Sequence, residues 1–167
     1  MAYYDLYDSA LGPIFIGGSE RGLHRIAFQS EDFDLPALVR ALEEDAGEAA
    51  GLDREGARPA HMALASYFAG ASGDFDLPLA PRGTRFQQRV WKRLLSLAAG
   101  KTKSYGSLAR AIRQPGAARA VGAAVGRNPL MVVVPCHRVV STDGGLGGYL
   151  SGLDRKRWLL AHEQRWA

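Results

Sequence analysis

The sequence predicts an α+β chain in two parts. The first is a small N-terminal α/β domain over residues 1–80, an antiparallel sheet with helices; the second is a mostly helical domain over residues 81–167 containing a helix-turn-helix. Three observations predict this. Short β-prone runs separated by glycine turns open the chain. A breaker-rich stretch with Gly73, Pro78, Pro81 and Gly83 reads as a linker. Charge divides at that stretch: residues 1–80 hold five Lys/Arg and fourteen Asp/Glu, a net of −9, and residues 81–167 hold sixteen and three, a net of +13.

Strand character covers residues 3–7, then Ile14-Phe15-Ile16 after Gly12-Pro13, then 23–28 after Arg21-Gly22, where Leu23, Arg25 and Ala27 alternate with His24, Ile26 and Phe28. Short strands joined by glycine turns predict an antiparallel meander. Asp34 reads as the N-cap of a helix over Leu35–Ala46 with Pro36 in its first turn and Leu35, Leu38, Val39 and Leu42 inward. A second helix is expected over about 59–69, with Met62, Ala65 or Ser66, and Phe68 or Ala69 inward and Gly70 at its end. His61 reads as an ordinary edge residue, and 71–83 as the linker with room for one short strand.

The basic half opens on Thr84-Arg85-Phe86-Gln87, a capping-box pattern. Phe86, Val90, Leu94 and Leu97 follow at helical spacing up to Gly100. Ser104 caps a helix over 105–112, Gln114-Pro115-Gly116 breaks the chain, and a third helix runs over about 117–126. Two short helices around a Pro-Gly turn in a basic region predict a helix-turn-helix. In the third helix Ala118, Val121 and Val125 can face the core, while Arg119, Gly122, Ala123 and Gly126 fall opposite. A glycine inside a helix costs about 1 kcal/mol relative to alanine, so two of them require a reason. Close packing against another helix and close approach to nucleic acid both select small residues; the net of +13 favours DNA.

The only cysteine, Cys136, lies in Val134-Pro135-Cys136-His137-Arg138-Val139, after the apolar run 130–134 and before the glycine-rich loop 143–149. One thiol excludes an internal disulfide and any site built from several cysteines. Inert core filling competes with nucleophilic chemistry, and the proline before it and the His-Arg pair after it favour the nucleophile. Positive neighbours are expected to lower its pKa. The loop 143–149 lacks the Lys-Ser/Thr of a phosphate-binding loop. A last helix begins near Asp154, and Glu163 on it is either a surface acid or a buried acid holding a histidine; His162 reads as structural. No apolar stretch approaches the ~20 residues that span a bilayer, and Met1-Ala2-Tyr3-Tyr4-Asp5 lacks the features of a secretory signal. An intracellular, cytoplasmic protein is expected.

Six motifs, in order, resemble the O6-alkylguanine-DNA alkyltransferases: Phe86-Gln87-x-x-Val90-Trp91-x-x-Leu94, Ser104-Tyr105-Gly106-x-Leu108-Ala109, Arg119-Ala120-Val121-Gly122, Asn128-Pro129, Pro135-Cys136-His137-Arg138-Val139 and Leu159-Leu160-x-x-Glu163. The resemblance implies single-turnover, direct-reversal DNA repair, in which Cys136 takes an alkyl group from guanine O6; thymine O4 stays open as a second target. It implies that His137 removes the thiol proton through a water, Glu163 orients His137, Tyr105 donates a proton to the departing guanine, and Asn128 is the hinge. Arg119 is implied as the finger that occupies the vacated base position. Ala120, Gly122, Ala123, Ser104 and Tyr105 are implied at the DNA, and Val139, Tyr149 and Leu150 around the base. Double-stranded DNA bound through the minor groove is the implied partner of a monomer, with no cofactor, metal or membrane. Ala98-Ala99, Arg113-Gln114 and Leu150-Ser151 depart from the family pattern, and the last implies a narrower pocket. A damage-binding module without transfer and a Cys-His hydrolase are the competing classes; the cysteine itself opposes the first, and the adjacency of the histidine opposes the second.

Overall fold

The computed structural model describes residues 1–167, which divide into two compact units: Met1–Arg82 with Pro129–Val133, and Gly83–Asn128 with Val134–Ala167. The expected limit at residue 80 lies two residues from the first break. Residues 129–133, assigned from sequence to the second domain, instead join the first unit.

In that unit β1 (Ala2–Ser9), β2 (Gly12–Ser19) and β3 (Gly22–Phe28) form the expected antiparallel meander. A fourth strand, β4 (Ala50–Leu52), pairs parallel to β1, giving the order β3-β2-β1-β4. The sheet is therefore mixed, and Ala-Gly-Leu carries no β-branched signal that would have announced it. Gly22, at φ +128°, sits where a Cβ would lie 2.7 Å from the Pro78 carbonyl oxygen, so the β2–β3 turn requires glycine.

Helix α1 (Leu35–Ala46) starts on Asp34, whose carboxylate accepts from Ala37 N at 3.0 Å, and stops at left-handed Gly47. Its Leu38 and Leu42 pack on Ala2 and Phe15, with Tyr4 and Leu6 beside them. Tyr7, on the other side of β1, meets His61 and Phe68. Helices thus cover both faces of the sheet, which is why Ile14, Phe15 and Ile16 are all buried rather than alternating. The second of those helices, α2 (Arg54–Phe68), begins five residues before the expected start. Asp53 caps it through Gly56 N, and Pro59 is accommodated inside at the loss of one backbone hydrogen bond. Ala57, Ala60, Leu64 and Tyr67 face inward and Phe68 is half-buried against Tyr7, while Met62, expected inward, is 58% exposed. The apolar run 130–134 is not a strand: only Leu130 bridges, to Ile26, and Val132 adopts φ +69° within a turn.

The second unit contains α3 (Arg85–Leu94), β5 (Lys103–Ser104), α4 (Tyr105–Ala111), α5 (Ala118–Gly126), β6 (Val139–Val140) and α6 (Leu153–Glu163). The capping box on α3 is complete in both directions. The helix ends at Leu94 rather than Gly100, and Leu97 is buried from the turns that follow. Trp91 donates its indole N–H to Ala124 O at 2.8 Å, fixing α3 to α5. The parallel β5–β6 pair, Lys103 with Val139 and Ser104 with Val140, ties the start of α4 to the segment that follows the cysteine. No helix of the protein is long and apolar enough to cross a membrane.

Candidate active site

Cys136, His137 and Arg138 form a single 3-10 turn entered from Pro135, not an extended segment. All three side chains are buried. Arg138 places Nε 2.7 Å from Glu163 Oε1 and Nη2 2.9 Å from Oε2, and donates from Nη1 to the Leu97 carbonyl. His137 Nε2 lies 2.7 Å from Glu163 Oε2. Burial alone would raise the Glu163 carboxyl, but the hydrogen bonds from His137 and Arg138 outweigh it and hold the group well below the ordinary carboxylate range. Burial lowers His137, against the opposing pull of Glu163. The pair is thus a neutral imidazole donating Nε2–H to a carboxylate. In that tautomer Nδ1 carries the lone pair, and it is buried without a hydrogen-bond partner.

Acid should therefore destabilise the fold in two stages. The unfolded chain binds a proton on His137 near 6.5 while the folded chain resists it, so stability falls as pH drops below 6.5. Glu163, depressed in the fold, contributes stability that is lost as pH falls below its ordinary 4.5. Melting temperature measured from pH 8 down to 3 should decline through both windows (a flat profile contradicts the assignment).

The thiol departs from expectation. Burial pushes Cys136 up to about 11, although an Asn128 side-chain hydrogen bond, the Lys156 charge and the backbone N–H groups of Cys136 and His137 all act to lower it. Adjacent positive charge does not produce a resting thiolate, because His137 is neutral and Arg138 is committed to Glu163. Asn128 also donates Nδ2 to Val134 O at 2.8 Å, so one amide spans the chain from the end of α5 to the cysteine turn.

Lys156 was not singled out from sequence. It is fully buried on α6, donating to Val139 O at 2.7 Å and to Gly148 O at 3.0 Å, and its charge acts on Cys136. Its spacing to Leu159 and Glu163, three and then four residues along one helix face, was the signal available. Arg138 as the clamp on Glu163 was likewise missed.

Tyr105, at the first position of α4, is half-buried; burial raises its hydroxyl, a backbone hydrogen bond from Gly148 lowers it, and Cys136 raises it. Gly147, at φ +70°, lies so close that a Cβ there would be 2.9 Å from the Tyr105 hydroxyl. The glycine loop thus folds over Tyr105. Tyr149 is half-buried, and Leu150 is 58% exposed. Val139 is buried with its N–H on Cys136 O and its carbonyl on Lys156, so its backbone is already engaged. Ser104 caps α4 through Ser107 N at 3.1 Å. On α5, Arg119, Ala120, Ala123 and Gly126 are exposed, whereas Gly122 is half-buried, where a Cβ would make ordinary contact with the Tyr105 ring at 3.7 Å. A Cβ on Gly126 would meet nothing.

Family models described as the 6-O-methylguanine DNA methyltransferase ribonuclease-like domain and DNA binding domain match residues 2–81 and 85–165. The chain belongs to the 6-O-methylguanine DNA methyltransferase family. It is 43% identical over 164 residues to the methylated-DNA–protein-cysteine methyltransferase of Methanosarcina barkeri, covering 97% of each chain. Among solved structures it resembles Mycobacterium tuberculosis OGT in complex with DNA, with a TM-score of 0.85 and 40% identity over 99% of this chain and 94% of that one. It also resembles the O6-methylguanine-DNA methyltransferase of Pyrococcus kodakaraensis, with a TM-score of 0.64 and 26% identity over 98% and 99% of the two chains.

Proposed function

We infer that the chain repairs alkylated DNA by accepting the alkyl group of O6-alkylguanine on Cys136, once per molecule. The observation that carries this reading is the buried turn in which a lone thiol adjoins a neutral histidine whose Nε2 is held by ionised Glu163. The thiol is protonated at rest, so transfer requires a base. Nδ1 of His137 takes the proton through a bridging water, and Glu163 stabilises the resulting imidazolium. The sulfur electron pair attacks the alkyl carbon, the S–C bond forms, and the bond from that carbon to guanine O6 breaks. Asn128, Lys156 and the two backbone N–H groups stabilise the thiolate as it develops. The Tyr105 hydroxyl supplies a proton to the departing guanine. A thioether has no good leaving group, and the turn supplies no second nucleophile to cleave it. The protein is therefore consumed as it reacts.

Guanine O6 is stacked inside the duplex, and reaching it requires extrusion of the base. We propose that α5 docks in the minor groove as a monomer, with Arg119 filling the vacated stack. Support comes from the exposed small residues Ala120, Ala123 and Gly126 around one long cationic side chain. Gly126 in particular has open space where a side chain would be, so packing within the chain does not account for it. Arg119→Ala should cut the single-turnover rate on O6-methylguanine duplex far more than the rate on free O6-benzylguanine. The extrusion barrier is a few kcal/mol, and each ~1.4 kcal/mol is a tenfold change. Equal losses on both substrates would remove Arg119 from this role.

A further inference from the structure

A second cationic feature of the C-terminal unit lies outside the residues used above. Arg89, Lys92 and Arg93 of α3 and Arg113 after α4 line an open cleft of about 390 Å³, with Ser96 and Ile112 at its wall. Arg89 donates Nη2 to the Ile112 carbonyl at 2.7 Å, which fixes its guanidinium at the cleft and ties α3 to the end of α4. No acid of this unit faces these charges. Glu163 is buried on His137 and Arg138, Asp154 pairs with Arg157, and Asp143 accepts from Gly145 N.

Arg113 adds an independent observation. Its φ of +62° lies in the left-handed region, where glycine is at ease and a long side chain is strained. Glycine would close this turn without strain, yet the position carries an arginine that lines the cleft. The charge sits here against the preference of the backbone. The turn it occupies leads directly, through Gln114–Ala117, into α5.

We propose that this cleft binds a phosphate of the DNA backbone, outside the contacts made by α5. The proposal rests on the reading of the chain as a DNA repair protein. A guanidinium offers a planar fork that matches phosphate oxygens, and Lys92 adds a point charge. The cleft thereby extends the electrostatic footprint beyond the lesion without reading sequence.

The test is equilibrium binding of the full chain, Arg113→Gly and Lys92→Ala to lesion-free duplex across a salt series. Each lost phosphate contact should reduce the magnitude of the log–log salt slope by about 0.9. Arg113→Gly should at the same time raise the melting temperature, because glycine relieves the strained turn. A variant that is more stable yet binds DNA more weakly is the expected signature. Both variants should react with free O6-benzylguanine at the unaltered rate. An unchanged salt slope in both variants overturns the cleft assignment while leaving the repair function intact. Failure of the unmutated chain to bind duplex would instead overturn the DNA reading beneath it.

Discussion

Cys136→Ala is expected to abolish alkyl transfer from duplex and from free O6-alkylguanine alike, while duplex affinity is retained. The chain has no second thiol, and the other nucleophilic groups near the turn are poor substitutes. Lys156 holds its ammonium against two carbonyls, and burial raises the Tyr105 hydroxyl above its ordinary 10. Affinity should survive because the exposed face of α5 and the surrounding cations are untouched by the change. Cys136→Ser should not rescue activity, since a hydroxyl ionises far less readily than a thiol. Residual transfer by either variant, measured by loss of O6-methylguanine from the duplex, would show that the acceptor is elsewhere.

Glu163→Ala should have the largest effect on stability. It strips the carboxylate from a buried site that binds three donors, two from Arg138 and one from His137. Removing one partner of a buried ion pair costs about 3–5 kcal/mol because the remaining charge is uncompensated, a large share of the roughly 5–15 kcal/mol that holds a domain folded. Transfer should fall as well, since nothing would then fix Nε2–H and present Nδ1 as the base. General-base contributions are about 10²- to 10⁴-fold. Pairing Glu163→Gln with Arg138→Met should recover part of the stability and none of the lost rate. An unchanged urea midpoint for Glu163→Ala would contradict the buried network.

The parts of this molecule legible in its sequence were those written in local chemistry. Asp34 and Ser104 accept the backbone N–H groups that their positions implied, and the Thr84–Gln87 box closes as its spacing required. The cysteine motif is legible as a motif, whereas the spacing of Glu163 from Leu159 leaves a surface acid and a buried one both open, and the structure buries it against His137. What was not legible depends on the fold as a whole. β4 exists because β1 offers an edge, not because Ala-Gly-Leu favours a strand. The start of α2 was hidden by Pro59, a residue that ordinarily marks a first turn. Adjacency in sequence suggests a lowered thiol pKa, whereas burial decides it and raises it. The Lys156 charge acts on the thiol from a residue twenty positions on, in an arrangement that only packing creates.

Cys136 is expected to be the single, irreversible acceptor. The most direct test is the intact mass of the protein after incubation with excess O6-methylguanine duplex, followed by peptide mapping of the modified chain. Each molecule should gain one methyl group, carried by Cys136, with transfer ending when every molecule is modified. Methyl on another residue, or continued repair with no mass gained by the protein, would contradict it.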